Sequence, residues 1–469
     1  MKVGAVESKY VYQSSRLNSD FHLTQGVMYD RFFRSRKHKL LGDLTLDIFC
    51  AGRSKRIYVS RENGIPYLGN VDLNSTDPIK GCNYTSKKFW KEQKGFIKEG
   101  MILTGRVGQN TVGSFTYAAK SIDGSIGSDN VIRIVSNGTY KNGFLYAFLA
   151  SKFGFSLSRR HISGNAQPFI TEDMLKNIPV PDFRQEQQIV VDKLITEAEN
   201  IRFESNKILS EASQILKLET GLIDLNSSEY EHFGSHHKNR TVSTFSKRIK
   251  EISSLTINAF NYSKKVEELE NRVREINHLP LFECLSDDHF FSTGSFKRLE
   301  IDSPNSIRLI NQSDILNTRK NGKLIARKFV KDDRLVEYGE VIIAGVGTLA
   351  ESEVFCRAIF ANEELEGQLI SGEFIRMKNN DKVPSGYLYV WLSSDYAFRF
   401  IRKTQSGTKL CRPIQALLKS IPVPILETKI MEDIDRMVKL AHTMQYEALI
   451  KENQAINLVE KEIESWKAA

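Results

Sequence analysis

Lysine and arginine recur in short clusters along this 469-residue chain, and the chemistry open to such clusters is the binding of anions. Arg53, Lys55 and Arg56 form the first. Lys87, Lys88 and Lys91, with Phe89 and Trp90 between them, form the second, and Arg159, Arg160 and His161 the third. In the second half Lys297-Arg298 and Arg402-Lys403 stand in matching stretches. Side chains of this kind position phosphate groups, whereas reading the edges of bases needs Arg, Asn, Gln or Thr tips at a groove floor. Arg106, Gln109, Asn110 and Thr111 follow a turn and suit that second role, as do Asn165 and Gln167, and Gln405 and Lys409 in the second half. Taken singly, each is equally a solvated charge or a loop cap; the clusters carry the reading.

Catalytic chemistry is not visible. The chain has no N-P-P-[YF] run of the kind that adenine methylation uses and no G-x-x-x-x-G-K-[ST] phosphate loop. Asp182 and Glu186 suggest a nuclease carboxylate pair, but Gln188 stands where such a pair needs lysine, so both read as acids on a helix surface. The glycines of 100–113 lack a strand–loop–helix nucleotide context and read as turns. No Ser/His/Asp or Cys/His set stands out. His236-His237 has no partners at metal-ligand spacing and reads as a solvated loop. The five cysteines (Cys50, Cys82, Cys284, Cys356, Cys411) are scattered, which suits reduced thiols in a cytoplasmic protein. No apolar run reaches a membrane span, and the first residues lack the apolar core of a signal peptide. A net charge of +9 favours an anionic partner, weakly. The reading is a non-enzymatic chain with no cofactor and no metal of its own.

The elements that would carry these residues are announced by a doubled motif. Leu175-Lys176 is followed by Ile178-Pro179-Val180-Pro181, and Leu418-Lys419 by Ile421-Pro422-Val423-Pro424; a long helical pattern follows each. Proline fixes its own φ and holds the preceding residue extended, so each run is a stiff step from a globular unit into a helix. An offset of 243 also pairs Ser128 with Ser371, Arg133 with Arg376, Leu149 with Leu392 and Gly164 with Gly407. Further upstream the offset drifts to 239 (Gly100 with Gly339) and 242 (Lys55-Arg56 with Lys297-Arg298, Ile65 with Ile307), as loop insertions would cause. A period this long means a duplicated domain. Runs such as 101–103, 341–343, 131–135 and 373–377 predict buried strands, and 144–152 and 387–395 predict short helices with an aromatic core face. In the first arm Val191, Leu194, Ala198, Ile201, Ser205, Ile208, Ala212, Ile215, Glu219 and Leu222 step by three and four. In the second, Val438, His442, Gln445, Leu449, Glu452, Ile456, Val459, Ile463 and Trp466 do the same, and a neighbouring stripe of Ile434, Met437, Ala441, Met444, Ala448, Ala455 and Leu458 widens that face. Such stripes predict helices packed side by side at a shallow angle. The fold expected is α+β: two duplicated α/β globular domains and two long helices packed as an antiparallel coiled coil with pseudo-two-fold symmetry. The divisions read as 1–183, first globular domain; 184–223, first long helix; 224–250, an exposed polar linker; 251–425, second globular domain; 426–469, second long helix.

This layout resembles the specificity subunit of type I restriction–modification systems. The likeness rests on the closing run of each globe (Ser163-Gly164, Ile170 to Leu175, Ile178 to Pro181), on Glu186-Gln187 before an aliphatic residue, and on the Gly-rich segment 100–113; it covers nearly the whole chain. The second copy departs from it, with Lys429-Ile430 in place of the Glu-Gln pair and G-E-V-I-I-A-G-V-G-T-L-A as its Gly-rich segment. The resemblance implies that each globe is a target recognition domain reading one half of a split double-stranded DNA site. It implies that the helices set the gap and dock two DNA methyltransferase (modification) subunits, which restriction/translocase subunits join. S-adenosylmethionine and ATP with Mg would then be bound by those partners, and the chain would be cytoplasmic. Two other readings stay open: the recognition subunit of a related defence system whose nuclease and methylase are one polypeptide, and a coiled-coil scaffold that reads no sequence.

Overall fold

A glycine with φ near +80° introduces the central strand of each globular unit: Gly100 (+81°) in the first and Gly339 (+83°) in the second. Only glycine adopts this conformation without strain, which is why both copies place it there. The structure, a computed structural model, describes residues 4–14, 17, 19–88, 90, 93–108, 111–160, 168–226, 228–230, 244–287, 289–351 and 353–468. The chain divides into two compact units, Met1–Phe203 with Glu447–Ala469, and Glu204–Tyr446.

In the first unit the principal elements are α1 (Gln25–Arg34), β1 (His38–Leu40), β2 (Thr45–Cys50), β3 (Gly64–Leu68), β4 (Asn83–Ser86), β5 (Ile102–Gly105), β6 (Phe115–Tyr117), β7 (Ile126–Gly127), β8 (Val131–Ser136), α2 (Asn142–Ala150), α3 (Lys152–Arg160) and β9 (Pro179–Pro181), leading into α4 (Gln185–Thr220). One sheet is antiparallel in the order β2-β8-β5-β6; a second has the order β4-β3-β7, with β3 and β7 parallel. The unbroken apolar run of β5 is buried at every residue, as a central strand requires. The stiff Pro-Val-Pro step pairs as β9 with β1, Val180 opposite Lys39.

The second unit repeats this scheme. Its elements are α5 (Lys264–Arg274), β10 (His278–Pro280), β11 (Ser306–Ile310), β12 (Gly322–Ala326), β13 (Val341–Ala344), β14 (Ala358–Phe360), β15 (Leu369–Ile370), β16 (Phe374–Met377), α6 (Ser385–Leu392), α7 (Asp395–Lys403), β17 (Gln405–Ser406), β18 (Arg412–Pro413) and β19 (Pro422–Pro424), leading into α8 (Thr428–Ala468). The order β14-β13-β16 matches three of the four strands of the first unit's larger sheet, with no strand in the place of β2 among the described residues. The order β12-β11-β15 matches the smaller sheet down to the parallel pair, and β19 pairs with β10 as β9 does with β1.

Each unit contains part of both long helices. In the first, Val191, Ile195, Ala455, Ile456, Val459 and Ile463 join one core with Phe33, Phe144, Phe148 and Val180. Lys451 pairs with Glu197 at 3.0 Å and the Trp466 ring meets Phe183 at 5.1 Å, so the two helices run antiparallel there. In the second, Ala212, Leu216, Met431, Ile434 and Val438 join the core around Trp391. The globular helices lock onto the long ones by a shared device. The Gly143 N–H donates to Asp192 Oδ1 at 2.7 Å, and the Gly386 N–H to Asp435 Oδ1 at 2.8 Å. A Cβ at Gly143 would lie 2.9 Å from the Asp192 Cα, and one at Gly386 3.0 Å from the Asp435 Cα.

Two expectations need correction. The buried seam of α4 runs through Val191, Ile195, Ala198, Arg202, Ser205, Ala212 and Leu216, so it is centred one residue beyond Leu194, Ile201, Ile208 and Ile215, and Glu219 is exposed. Both stripes share Val191, Ala198, Ser205 and Ala212, and the apolar count favoured the wrong flank because Arg202 lies inside. Its charge is met there by Glu199 and Glu452, and Tyr146 donates to Glu452. Burial works against the Arg202 charge, but the two carboxylates outweigh it and hold the guanidinium firmly protonated. Leu458, placed in the buried face of α8, is 44% exposed. The polar linker expected over 224–250 is exposed or half-buried at each of its described residues, and it is anchored at its described ends: Glu229 accepts from Arg272 at 2.7 Å, Arg399 lies 3.7 Å over the Tyr230 ring, and Lys247 pairs with Glu267 at 2.6 Å. His236 and His237 lie outside the described residues.

The two arginines that the repeat aligns prove to be core residues. Arg133 is fully buried on β8 and donates to the carbonyls of Val131, Gly95 and Gly127; burial lowers its pKa to about 10. Arg376, on β16, instead pairs with Glu340 at 2.7 Å, both side chains 1% exposed. Removing one partner of such a pair strands a charge in the core. Glu340→Ala is therefore expected to cost the second unit about 3–5 kcal/mol, seen as a lower urea midpoint for that unit's unfolding.

Candidate nucleic-acid interface

In the first unit the strand ends gather the basic residues. β2 finishes, β8 begins and β5 finishes at the same edge of the four-stranded sheet, since Cys50 pairs with Ile132 and Gly105 with Val131. The loops leaving that edge carry Arg53, Lys55 and Arg56, then Asp129 and Asn130, then Arg106. The Arg106 N–H donates to the Asn130 carbonyl at 2.7 Å. Asp129 holds the Arg56 guanidinium at 2.5 Å and the Arg53 Nε at 3.5 Å, while the Arg53 side chain is 94% exposed. Arg53, Ser54, Arg56, Asp129 and Asn130 line an open hollow of about 480 Å³. The Ser86 N–H donates to the Ile57 carbonyl at 2.9 Å, so the turn bearing exposed Lys87 and Lys88 neighbours the Arg53–Arg56 loop. Lys87 and Lys88 thus stand beside the first basic cluster. Arg53, almost fully exposed and only loosely paired, can hold phosphate oxygens readily, whereas Arg56 would have to share its guanidinium with Asp129.

Other expected contacts point inward. Thr111 is buried and its hydroxyl donates to the Val107 carbonyl at 2.8 Å. Arg160 pairs with Asp30 at 2.7 Å, tying α3 to α1. Arg159 Nη1 donates to the Val112 carbonyl at 3.1 Å. Trp90, between the lysines in sequence, is buried with its indole N–H on Thr85 at 2.9 Å, so it is a core ring. Lys91, Gln109, Asn110, His161, Asn165 and Gln167 lie outside the described residues.

In the second unit Lys297 and Arg298 are exposed before β11, over the rings of Phe329 and Phe296 respectively. Their loop passes the start of β16 as the Arg53 loop passes the start of β8: a Cβ on Gly372 would lie 3.6 Å from the Gly294 carbonyl oxygen. Lys409 is exposed in the bend between β17 and β18. Arg402 and Gln405 are each 1% exposed, and Arg402 donates to the carbonyls of Leu349 (2.6 Å) and Ala350 (2.7 Å). Lys403 is held by Glu270 at 2.7 Å.

Two polar residues here escaped the sequence reading. Asn70 Nδ2 donates to the Val107 carbonyl at 2.7 Å, and Gln312 Nε2 to the Val346 carbonyl at 3.0 Å. The signal was present, because Asn70 and Gln312 share the offset of 242 that aligns Ile65 with Ile307. Asp72 stands beside this clamp and accepts the Gly69 N–H at 2.7 Å. Burial pushes its carboxyl up to about 6, against the pull of that hydrogen bond.

Among the described residues no group of His, Cys, Asp and Glu is arranged to hold a metal, and no helix is long and apolar enough to cross a membrane. The five cysteines are free, and burial pushes Cys50, Cys82 and Cys284 up to about 12, so they stand as thiols.

A folded-state pKa above the unfolded value means that the Asp72 contribution is most favourable below about pH 4 and is lost as pH rises through about 6. Asp72→Asn, which keeps an acceptor for Gly69, is expected to raise stability on the order of 1–2 kcal/mol at pH 8, with the gain gone by about pH 4. Urea unfolding at the two pH values measures it; a gain that did not shrink on acidification would contradict the assignment.

No protein-family model and no curated protein matches the chain. Among solved structures it is similar to the S subunit of a type-I restriction-modification system from M. genitalium, at 14% identity over 92% of this chain and 93% of that one, with a TM-score of 0.32. It is also similar to the HsdS subunit from Thermoanaerobacter tengcongensis, at 13% identity over 91% and 95% with a TM-score of 0.24. A third similar chain comes from a structure of complex assembly and conformational transition in the type I R-M system, at 14% identity over 91% and 97% with a TM-score of 0.26.

Proposed function

We propose that this chain is the DNA sequence-recognition subunit of a type I restriction–modification complex, each globular unit reading one half of a bipartite site. The observation that carries the reading is the repetition. The same central strand order in two sheets, the same Pro-Val-Pro strand and the same entry into a long helix occur twice, and each copy exposes basic residues on the loop before its β3 or β11 strand. Two readers in one chain suit a site in two halves separated by unread base pairs. Helices of 36 and 41 residues, about 54 and 61 Å long, would set that separation and dock the modification subunits. Adenine methylation with S-adenosylmethionine, and ATP-driven cleavage, would belong to those partners, which leaves this chain non-catalytic and cytoplasmic.

The test uses the complex assembled with its modification subunits. Replacing residues 1–183 by the corresponding domain of another such chain is expected to change one half of the recognised sequence and leave the other. A change in both halves or in neither sinks the two-reader account. Binding indifferent to sequence would instead support a scaffold, and a single partner carrying both nuclease and methylase would place the chain in the related defence system.

Arg53 and Arg56 supply a finer prediction. The double change to alanine is expected to weaken binding by about tenfold or more across sequences, and to lower the slope of log affinity against log salt by about one per lost phosphate contact. Fluorescence anisotropy at several salt concentrations reads both quantities.

A further inference from the structure

We infer that Asn70 in the first unit and Gln312 in the second are positioning residues that set the loop after the central strand for base reading; this inference rests on the function proposed above. Asn70 stands two residues past β3 and Gln312 two residues past β11; Val107 stands two residues past β5 and Val346 two residues past β13. In both units, therefore, an amide side chain leaves the end of one sheet and binds the first loop carbonyl region of the other. The residue type has changed between the copies, from Asn to the longer Gln, yet the carbonyl addressed is the same. In the second unit the contact is doubled, since Gln312 Oε1 also accepts the Val346 N–H at 3.3 Å, and Gln312 Nε2 lies 3.4 Å from Glu373 Oε2 as well. In the first, the Asn70 Oδ1 is buried without a partner among the described residues. The Val107 carbonyl takes its second bond from Thr111 instead.

The clamp is reinforced from the other side at equivalent positions. Arg159 on α3 and Arg402 on α7 share the offset of 243, and each donates to carbonyls later in the same loop, Val112 in the first unit and Leu349 and Ala350 in the second. Backbone pairing closes the third side: Val107 bridges Phe169, and Gly347 bridges Cys411. Described residues of each loop, Val107 and Val112 in the first unit and Val346, Gly347, Leu349 and Ala350 in the second, are thus held from three directions, a fixation that reading base edges requires and attraction to phosphates does not. Two copies that have diverged in most side chains keep this fixation, and they keep it beside the exposed basic residues.

Asn70→Asp removes the donor at unchanged size, and Gln312→Glu does the same while keeping the acceptor for Val346. In the assembled complex, Asn70→Asp is expected to cut discrimination between the cognate site and single-base variants in the first half by about tenfold, with discrimination in the second half unchanged; Gln312→Glu is expected to do the mirror image. Asn70→Gln, which retains a donor on a side chain like that of the second copy, is expected to recover most of the loss. Hydrogen exchange on the chain in the same complex without DNA should show faster exchange for Asn70→Asp confined to the segment around Val107 and Gly108. Equal loss for every sequence, loss in both halves, or unchanged discrimination despite faster local exchange would overturn the inference while leaving two-part recognition standing. A wild-type complex that distinguishes no sequences would remove the proposed function and this inference with it.

Discussion

At Gly143 and again at Gly386 two helix backbones come so close that no side chain fits between them. The long helix supplies an aspartate there, Asp192 or Asp435, whose carboxylate caps the first turn of the globular helix. A carboxylate at a helix N-terminus is favoured by the exposed N–H groups and the helix dipole, and the missing Cβ lets it arrive. The larger sheet of each unit packs on that globular helix and the smaller sheet on the larger, so the strand ends inherit their orientation from the long helix. A shift at this contact would move every loop that the sheets carry. The Pro-Val-Pro strand works with it, because it pairs with β1 or β10 immediately before the long helix begins. Each unit is thus pinned to its helix at two places rather than hung from one.

The two copies answer the same internal problem differently. An arginine stands at the same register of the same strand in both, opposite Leu103 in one sheet and Ile342 in the other. In the first its two terminal nitrogens are held by carbonyl groups alone and its Nε is left without a bond among the described residues, with Met101 where the second copy has Glu340. Carbonyl acceptors make a buried charge tolerable, and a carboxylate makes it an ion pair. What persists is the planar five-donor group stitching the sheet to its surroundings, which suggests that its geometry rather than its charge has been retained.

Much of this architecture was legible in the sequence, and the reason is local. Pro179, Pro181, Pro422 and Pro424 restrict the chain wherever they stand, and Gly100 and Gly339 mark turns by their freedom at positive φ. Helix periodicity over some forty residues also survives tertiary context. The site was less legible. Arg402, Gln405 and Thr111 have the side chains of surface readers, but all three are buried, Arg402 and Thr111 on backbone carbonyls, and nothing in residue type distinguishes an arginine offered to solvent from one propping a loop. Arg202 misled the reading of the α4 seam for the related reason that a charge can be buried when partners from elsewhere in the chain meet it. Asn70 and Gln312 were hidden by their substitution: the offset matched and the letters did not.

The first unit draws Ala455, Ile456, Val459 and Ile463 into its core, and the Trp466 carbonyl accepts from Arg36 at 2.8 Å. The second unit is continuous in sequence, from Glu204 to Tyr446. During synthesis, then, the order of completion reverses the order of translation. The later-made unit can close once Tyr446 has emerged, while the one made first waits with Ile195 and Phe183 uncovered until Ala455 to Trp466 follow. A chain interrupted between those two points would carry one finished half and one open half, the kind of exposed apolar surface that chaperones hold and proteases find.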